Sequence, residues 1–118
     1  MSPNQYQELA TQTAKFYPNN RYMDLIHAAL GASGEVGELT DAIKKHVIYE
    51  KPLDIANVVE EVGDTLWYLA LMLTHLGYDM EFVMEQNIAK LKKRYPEKYS
   101  DQAAQTRADK QESGREAA

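Results

Sequence analysis

The chain has no cysteine among its 118 residues. That absence removes disulfides, thiolate metal sites and a thiol nucleophile together. Long apolar runs are missing as well. The longest, Leu66 to Leu73, is eight residues, whereas a membrane span needs about 20. Positive charge is the scarcer sign, with 13 Lys and Arg against 18 Asp and Glu for a net charge of −5. A duplex binder usually gathers a basic surplus on one face. Only Lys90, Lys92, Lys93 and Arg94 cluster here, enough for one phosphorylated small molecule and thin for a long polyanion. The opening residues, MSPNQYQELATQ, have neither the basic start nor the apolar stretch of a secretory signal. The expectation is a cytoplasmic protein with no nucleic-acid and no membrane partner. Sustained period-two alternation between hairpin turns is absent too, so no strand is expected.

What is present is helical periodicity. Ser2, Pro3 and Gln5 read as an N-cap, a first-turn proline and a capping-box partner. Tyr6, Leu9, Thr13 and Phe16 follow at spacings of three and four, and Pro18-Asn19-Asn20 breaks the pattern. A second helix is predicted from about Tyr22 to Val47, with Leu25, Ala29, Ala32, Val36, Leu39 and Ile43 as its core stripe. Asp54 reads as the N-cap of a third helix, striped by Ile55, Val59, Val62, Leu66, Leu69, Leu73 and Leu76, with Gly77 as its C-cap. Asp79 reads as the N-cap of a fourth, carrying Met80, Met84, Ile88, Leu91 and Tyr95 and ended by Pro96. The expected fold is all-α, a four-helix-bundle-like domain over residues 1–99 with a polar tail over 100–118. That tail contains no Leu, Ile, Val or Phe, which predicts a solvated helix or an arm on another subunit. The middle stripes are long for a monomer of this size, so a homodimer or homotetramer is expected.

The most informative feature is a repeated tetrapeptide, Glu35-Val36-Gly37-Glu38 on the second helix and Glu61-Val62-Gly63-Asp64 on the third. In each, the acids stand at i and i+3 on adjacent turns of one face. If the two helices pack antiparallel with the valines level, four carboxylates can converge. Two carboxylates about 5 Å apart repel by roughly 3 kcal/mol at an effective dielectric near 20. A divalent cation removes that repulsion, and an all-oxygen set suits Mg²⁺, with Mn²⁺ as a substitute, better than zinc. A lone E-x-x-E is ordinarily a solvated face, but two pairs at matched offsets, each with an internal glycine, are harder to dismiss. A di-iron bundle needs Glu-x-x-His on two helices, and Asp24-x-x-His27 is the nearest match, with no second copy.

On the fourth helix Asn87, Lys90 and Arg94 fall at i, i+3 and i+7. An amide and two cations so aligned can hold phosphate oxygens; cations also simply favour a helix C-terminus. Tyr68, four residues after Asp64, stands on the acid side of its helix and can pack on a base or sugar, or serve as a core aromatic. Lys45, seven residues after Glu38, is a further candidate phosphate contact.

These residues resemble a known family. Glu35-x-x-Glu38, a spacer of 22 residues and Glu61-x-x-Asp64 are similar to the E-x-x-E…E-x-x-D signature of the MazG-like all-α nucleoside triphosphate pyrophosphohydrolases. Residues 31–39, 61–69 and 87–96 resemble its three motifs, and the resemblance spans roughly residues 22–100. It implies Mg²⁺-dependent hydrolysis of a nucleoside or deoxynucleoside triphosphate to the monophosphate and pyrophosphate. On that resemblance Glu35, Glu38, Glu61 and Asp64 would be the metal ligands. Glu38 would accept the water's proton, and Tyr68, Asn87, Lys90, Arg94 and Lys45 would address the nucleotide. The alternatives are an enzyme similar to phosphoribosyl-ATP pyrophosphohydrolase and a non-catalytic helical regulatory or assembly module.

Overall fold

A computed structural model describes residues 1–112, with side chains to Lys110. Its described residues are all-helical, without a strand. No described helix is long and apolar enough to cross a membrane. Helix α1 spans Pro3–Gln12, α2 Arg21–Val47, α3 Ile55–Leu76 and α4 Met80–Arg94, followed by the short α5 Asp101–Thr106 and α6 Ala108–Glu112. The chain divides into two compact units, Met1–Met80 and a second beginning at Glu81.

Several local stop and start signals act as the sequence predicts, although α1 ends at Gln12, before Thr13 and Phe16 of its predicted stripe. Ser2 N donates to Gln5 Oε1 at 2.7 Å and Gln5 N to Ser2 Oγ at 3.1 Å, closing the capping box of α1. Asp54 caps α3 by accepting from Asn57 N at 3.1 Å. Gly77 closes the same helix at φ +82°, a left-handed conformation that suits glycine.

In the first unit α2 and α3 form an antiparallel hairpin, and its register can be read from four levels. Glu35 and Glu38 meet Glu61, Gly31 lies under the Tyr68 ring, His27 faces Tyr68, and Asp24 approaches His75. The inward line of α2 is small: Ala28 and Ala42 are buried and Gly31 and Ala32 half-buried. On α3 Ala70 and Leu71 are fully buried. A Cβ on Gly31 would fall 2.1 Å from Tyr68 Cε1, so the ring rests directly on the backbone of α2. Helix α1 docks on α3 through Ala10, Ala70 and Met80, flanked by Tyr6, Trp67 and Leu73. Buried Gln7 ties this corner together: its Nε2 donates to Tyr78 O at 2.9 Å and Thr74 Oγ1 at 3.1 Å, and its Oε1 accepts from Met80 N at 2.9 Å.

The packed face of the hairpin matches the predicted stripes only in part: Leu25, Ala32, Leu39 and Leu73 are half-buried, but the rest are not. Val36 is 46% and Val62 53% exposed, and Ile43, Ile55, Val59, Leu66 and Leu69 are exposed with them. The reason is close approach. Residues of alanine and glycine size let two backbones come together, and the line one residue before each valine turns inward instead. The tail also departs from expectation. In the second unit Arg94 at the end of α4 grips Asp109 through two bonds, Nε to Oδ1 at 3.0 Å and one terminal nitrogen to Oδ2 at 3.2 Å. The Asp109 side chain is 2% exposed, so this part of the tail is packed on its own helix rather than solvated. The rest of the predicted tail, residues 113–118, lies outside the described residues.

The Gly31 contact gives a first prediction. Alanine is worth about 1 kcal/mol over glycine in a helix interior, but overpacking costs about 1–3 kcal/mol. Gly31→Ala should therefore lower stability in urea melts, with a loss of near-ultraviolet signal from Tyr68 and Trp67. A variant as stable as the parent would show that the ring does not sit on α2.

Candidate metal centre

Glu35 and Glu61 belong to the inward lines of α2 and α3, and Glu38 stands one turn beyond Glu35. One carboxylate oxygen from each lies within 4.8 Å of the other two. Glu61 is buried, Glu35 half-buried and Glu38 exposed. The predicted convergence thus holds for three of the four acids. Asp64 is exposed and lies outside this trio; its charge is felt by Tyr6 of α1, whose hydroxyl pKa is raised by burial first and by Asp64 second.

Crowding has an electrostatic consequence at Glu61. Hydrogen bonding to Glu35, then burial, then hydrogen bonding to Glu38 and the charges of both neighbours push its pKa from 4.5 up to about 8. Glu61 Oε2 is buried and has no hydrogen-bond partner. A sealed, unsatisfied carboxylate oxygen beside two further carboxylates fits a hard divalent cation, whose ligands are oxygens. It does not fit zinc's usual nitrogen and sulfur donors.

The other predicted residues fall as follows. Tyr68 is packed between α2 and α3, edge-on to His27 at 5.9 Å and to Trp67 at 4.9 Å between ring centres. Lys45 pairs with Asp41 at 3.0 Å on the exposed side of α2, a surface ion pair of small energetic value. Asn87, Lys90 and Arg94 lie on α4 in the second unit, Asn87 exposed and Lys90 half-buried. Arg94 is held by Asp109. Sequence reasoning missed the seat that Gly31 provides for Tyr68. The available signal was its position four residues before Glu35, on the same inward line. It also missed the aromatic chain that runs from Tyr17 through His27 to Tyr68 and Trp67, which brings the α1–α2 connection onto the hairpin.

Residues 26–99 match the family described as MazG nucleotide pyrophosphohydrolase domain. Among curated proteins, the chain is similar to the "Gene 37 protein" of Mycobacterium phage L5. The two are 31% identical over 99 residues, covering 75% of this chain and 84% of that one. No solved structure gives a significant match.

The raised pKa of Glu61 sets a stability prediction for metal-free protein. Between 4.5 and about 8 the folded state holds a proton that the unfolded chain has released. The contribution of Glu61 to stability is therefore fully present below 4.5 and is lost as pH rises to about 8. Thermal melts in a chelator should show the melting temperature dropping across this window, and Glu61→Gln should flatten the drop. A slope of opposite sign, or one unchanged by the substitution, would contradict the crowding.

Proposed function

The chain belongs to the MazG nucleotide pyrophosphohydrolase domain family, and from that premise we propose that it hydrolyses nucleoside or deoxynucleoside triphosphates to the monophosphate and pyrophosphate in the cytoplasm, with Mg²⁺ or Mn²⁺. The domain that carries this activity is taken to be residues 1–99. The observation behind the reading is the trio Glu35, Glu38 and Glu61, with its buried unsatisfied oxygen. These three would hold the metal, and Asp64, on the turn after Glu61, would join through substrate or water. When bound, the cation screens the triphosphate oxygens and lowers the pKa of water.

The chain's own residues supply the rest. Glu61, inside the hairpin, fixes the depth of the site, and Glu35 orients it from the facing helix. Glu38 is the exposed member of the trio, open to solvent and able to accept a proton at its free carboxylate oxygen. The attacking water gives its oxygen to the α-phosphorus and its proton to Glu38. The bond between the α-phosphorus and the bridging oxygen breaks, and pyrophosphate leaves with that oxygen. Positioning and charge stabilisation carry such a transfer. The face of Tyr68 is proposed to pack on the nucleotide, with Asn87 and Lys90 addressing sugar and phosphate oxygens and Lys45 reaching a phosphate when it leaves Asp41.

A second copy of the chain is proposed to cover the bare apolar stripes. Among the described residues the buried apolar ones are four alanines, Leu71 and Met80, a thin core for a chain of this length. The exposed residues Val36, Ile43 and Val47 of α2 and Ile55, Val59, Val62, Leu66 and Leu69 of α3 begin one residue past the inward line on both helices. In an antiparallel pair that offset brings the two stripes out on the same side of the hairpin. Eight large apolar side chains on one side exceed what a monomer usually exposes, about 300–600 Å². The need is constitutive, which favours an ever-present copy over a transient partner.

Two outcomes are expected. With Mg²⁺ and the common nucleotides, pyrophosphate release should be measurable, and Glu38→Gln should reduce it by about 10²-fold or more while helical circular dichroism stays intact. Turnover with no nucleotide, or full activity in both Glu38→Gln and Asp64→Asn, would overturn the assignment. In light scattering the protein should exceed its 13.4 kDa chain mass at least twofold. Leu66→Lys should dissociate it, and a parent that is monomeric at micromolar concentration would remove the second copy.

A further inference from the structure

In the second unit, Arg107 stands between α5 and α6 at φ 51°, ψ 55°, where it closes α5 as a left-handed C-cap. Glycine or asparagine takes that conformation readily, and other residues pay for it. A position that calls for glycine but carries arginine has a use for the side chain. The side chain is half-buried, and among the described residues its Nε is sealed from solvent with no hydrogen-bond acceptor. A guanidinium presents a planar fork of donors that matches a carboxylate or phosphate, and here one arm of that match is missing.

The neighbouring cation is treated differently. Arg94 spends its fork on Asp109, two residues after Arg107, in a bidentate pair whose side chains are 18% and 2% exposed. The pair holds the Asp109 carboxyl below its usual range. Backbone bonds complete the clamp: Arg107 N donates to Ala103 O and Lys110 N to Arg107 O, at 3.0 and 2.9 Å. Arg107 is thus fixed from both sides, by the cap before it and the Arg94–Asp109 pair after it.

We propose that Arg107 is an oxyanion-binding residue that takes a phosphate group, and that Arg94 is its positioning residue, acting through Asp109 rather than touching the phosphate itself. Strain retained at a non-glycine residue is a recurrent mark of ligand-holding positions. The proposal goes beyond the hydrolase reading. It concerns the second unit alone and does not depend on the acid trio.

The test uses the full chain in metal-free buffer, with inorganic pyrophosphate and a nucleoside monophosphate titrated separately by calorimetry. Omitting metal keeps the carboxylate centre out of the measurement. Arg107→Gly should lose affinity at least tenfold while its melting temperature holds or rises, because glycine relieves the backbone. A merely structural arginine predicts the reverse pattern. Asp109→Ala and Arg94→Ala should each lose affinity, and the charge swap Arg94→Asp with Asp109→Arg should recover most of it. Binding of either anion by the parent, lost in Arg107→Gly, supports the proposal and tells which phosphate source is held. Three results would overturn it: a parent that binds neither anion, an Arg107→Gly variant with parental affinity, or a tighter-binding Asp109→Ala. The last would make Asp109 a competitor for Arg94. Failure of nucleotide turnover would overturn the hydrolase reading and leave this measurement standing.

Discussion

The distance between α2 and α3 governs the rest of the molecule. Ala28 and Gly31 keep the α2 side of the seam small and seat the Tyr68 ring on its backbone, so whatever else lies on those inward lines is drawn into the seam. Two of those residues are Glu35 and Glu61. A hairpin built on leucines would have kept its backbones further apart and left the acids at the rim in water. Close packing therefore does two things at once. It contributes to holding the hairpin together, and it brings carboxylates into a mutual contact that opposes folding. Sites that carry chemistry commonly show this opposition between local electrostatics and fold stability.

Helix boundaries were legible because they are written locally. Ser2, Gln5, Asp54 and Gly77 each act within four residues of themselves, and each does in the structure what its type and position imply. The face of each helix was not legible in the same way. Both α2 and α3 carry two plausible lines one residue apart, one of large apolar residues and one that contains a glutamate, built of small residues on α2 and bearing Tyr68 on α3. Hydrophobicity favours the first and close approach the second, and a sequence does not say which contact is made within the chain. The acid trio survived this error because its convergence depends on the antiparallel register and on the matched offset of the two motifs, and both are unchanged by a rotation shared by the two helices. Asp64, three positions after Glu61, is exposed and stands outside the trio.

The ion pair between Arg94 and Asp109 was invisible for a different reason. Fifteen residues separate the partners, with a proline, two turns and a short helix between them, and no periodic pattern spans such a gap. The absence of large aliphatic residues from the tail was a sound reason to expect little apolar burial there. It says nothing about burial driven by a charge-assisted bidentate bond, which needs one arginine and one aspartate rather than a hydrophobic stripe. One consequence is that a cation aligned with Asn87 and Lys90 along α4 is already committed to a partner.

The state of Glu61 decides how the centre behaves when it takes a cation. With a pKa near 8, the crowded trio keeps a proton at neutral pH in the absence of metal, and that proton does the work of a counter-charge. A divalent cation offers a better one but must displace the proton to reach the carboxylate oxygen. Metal binding is thereby coupled to proton release and strengthens as pH rises towards 8. The same rise weakens the metal-free fold. Over that range the two tendencies act in concert, because the condition under which the empty hairpin is least comfortable is the one under which it holds a cation best. The repulsion that works against the fold is thus what sets a proton and a divalent cation in competition for the same carboxylate oxygens.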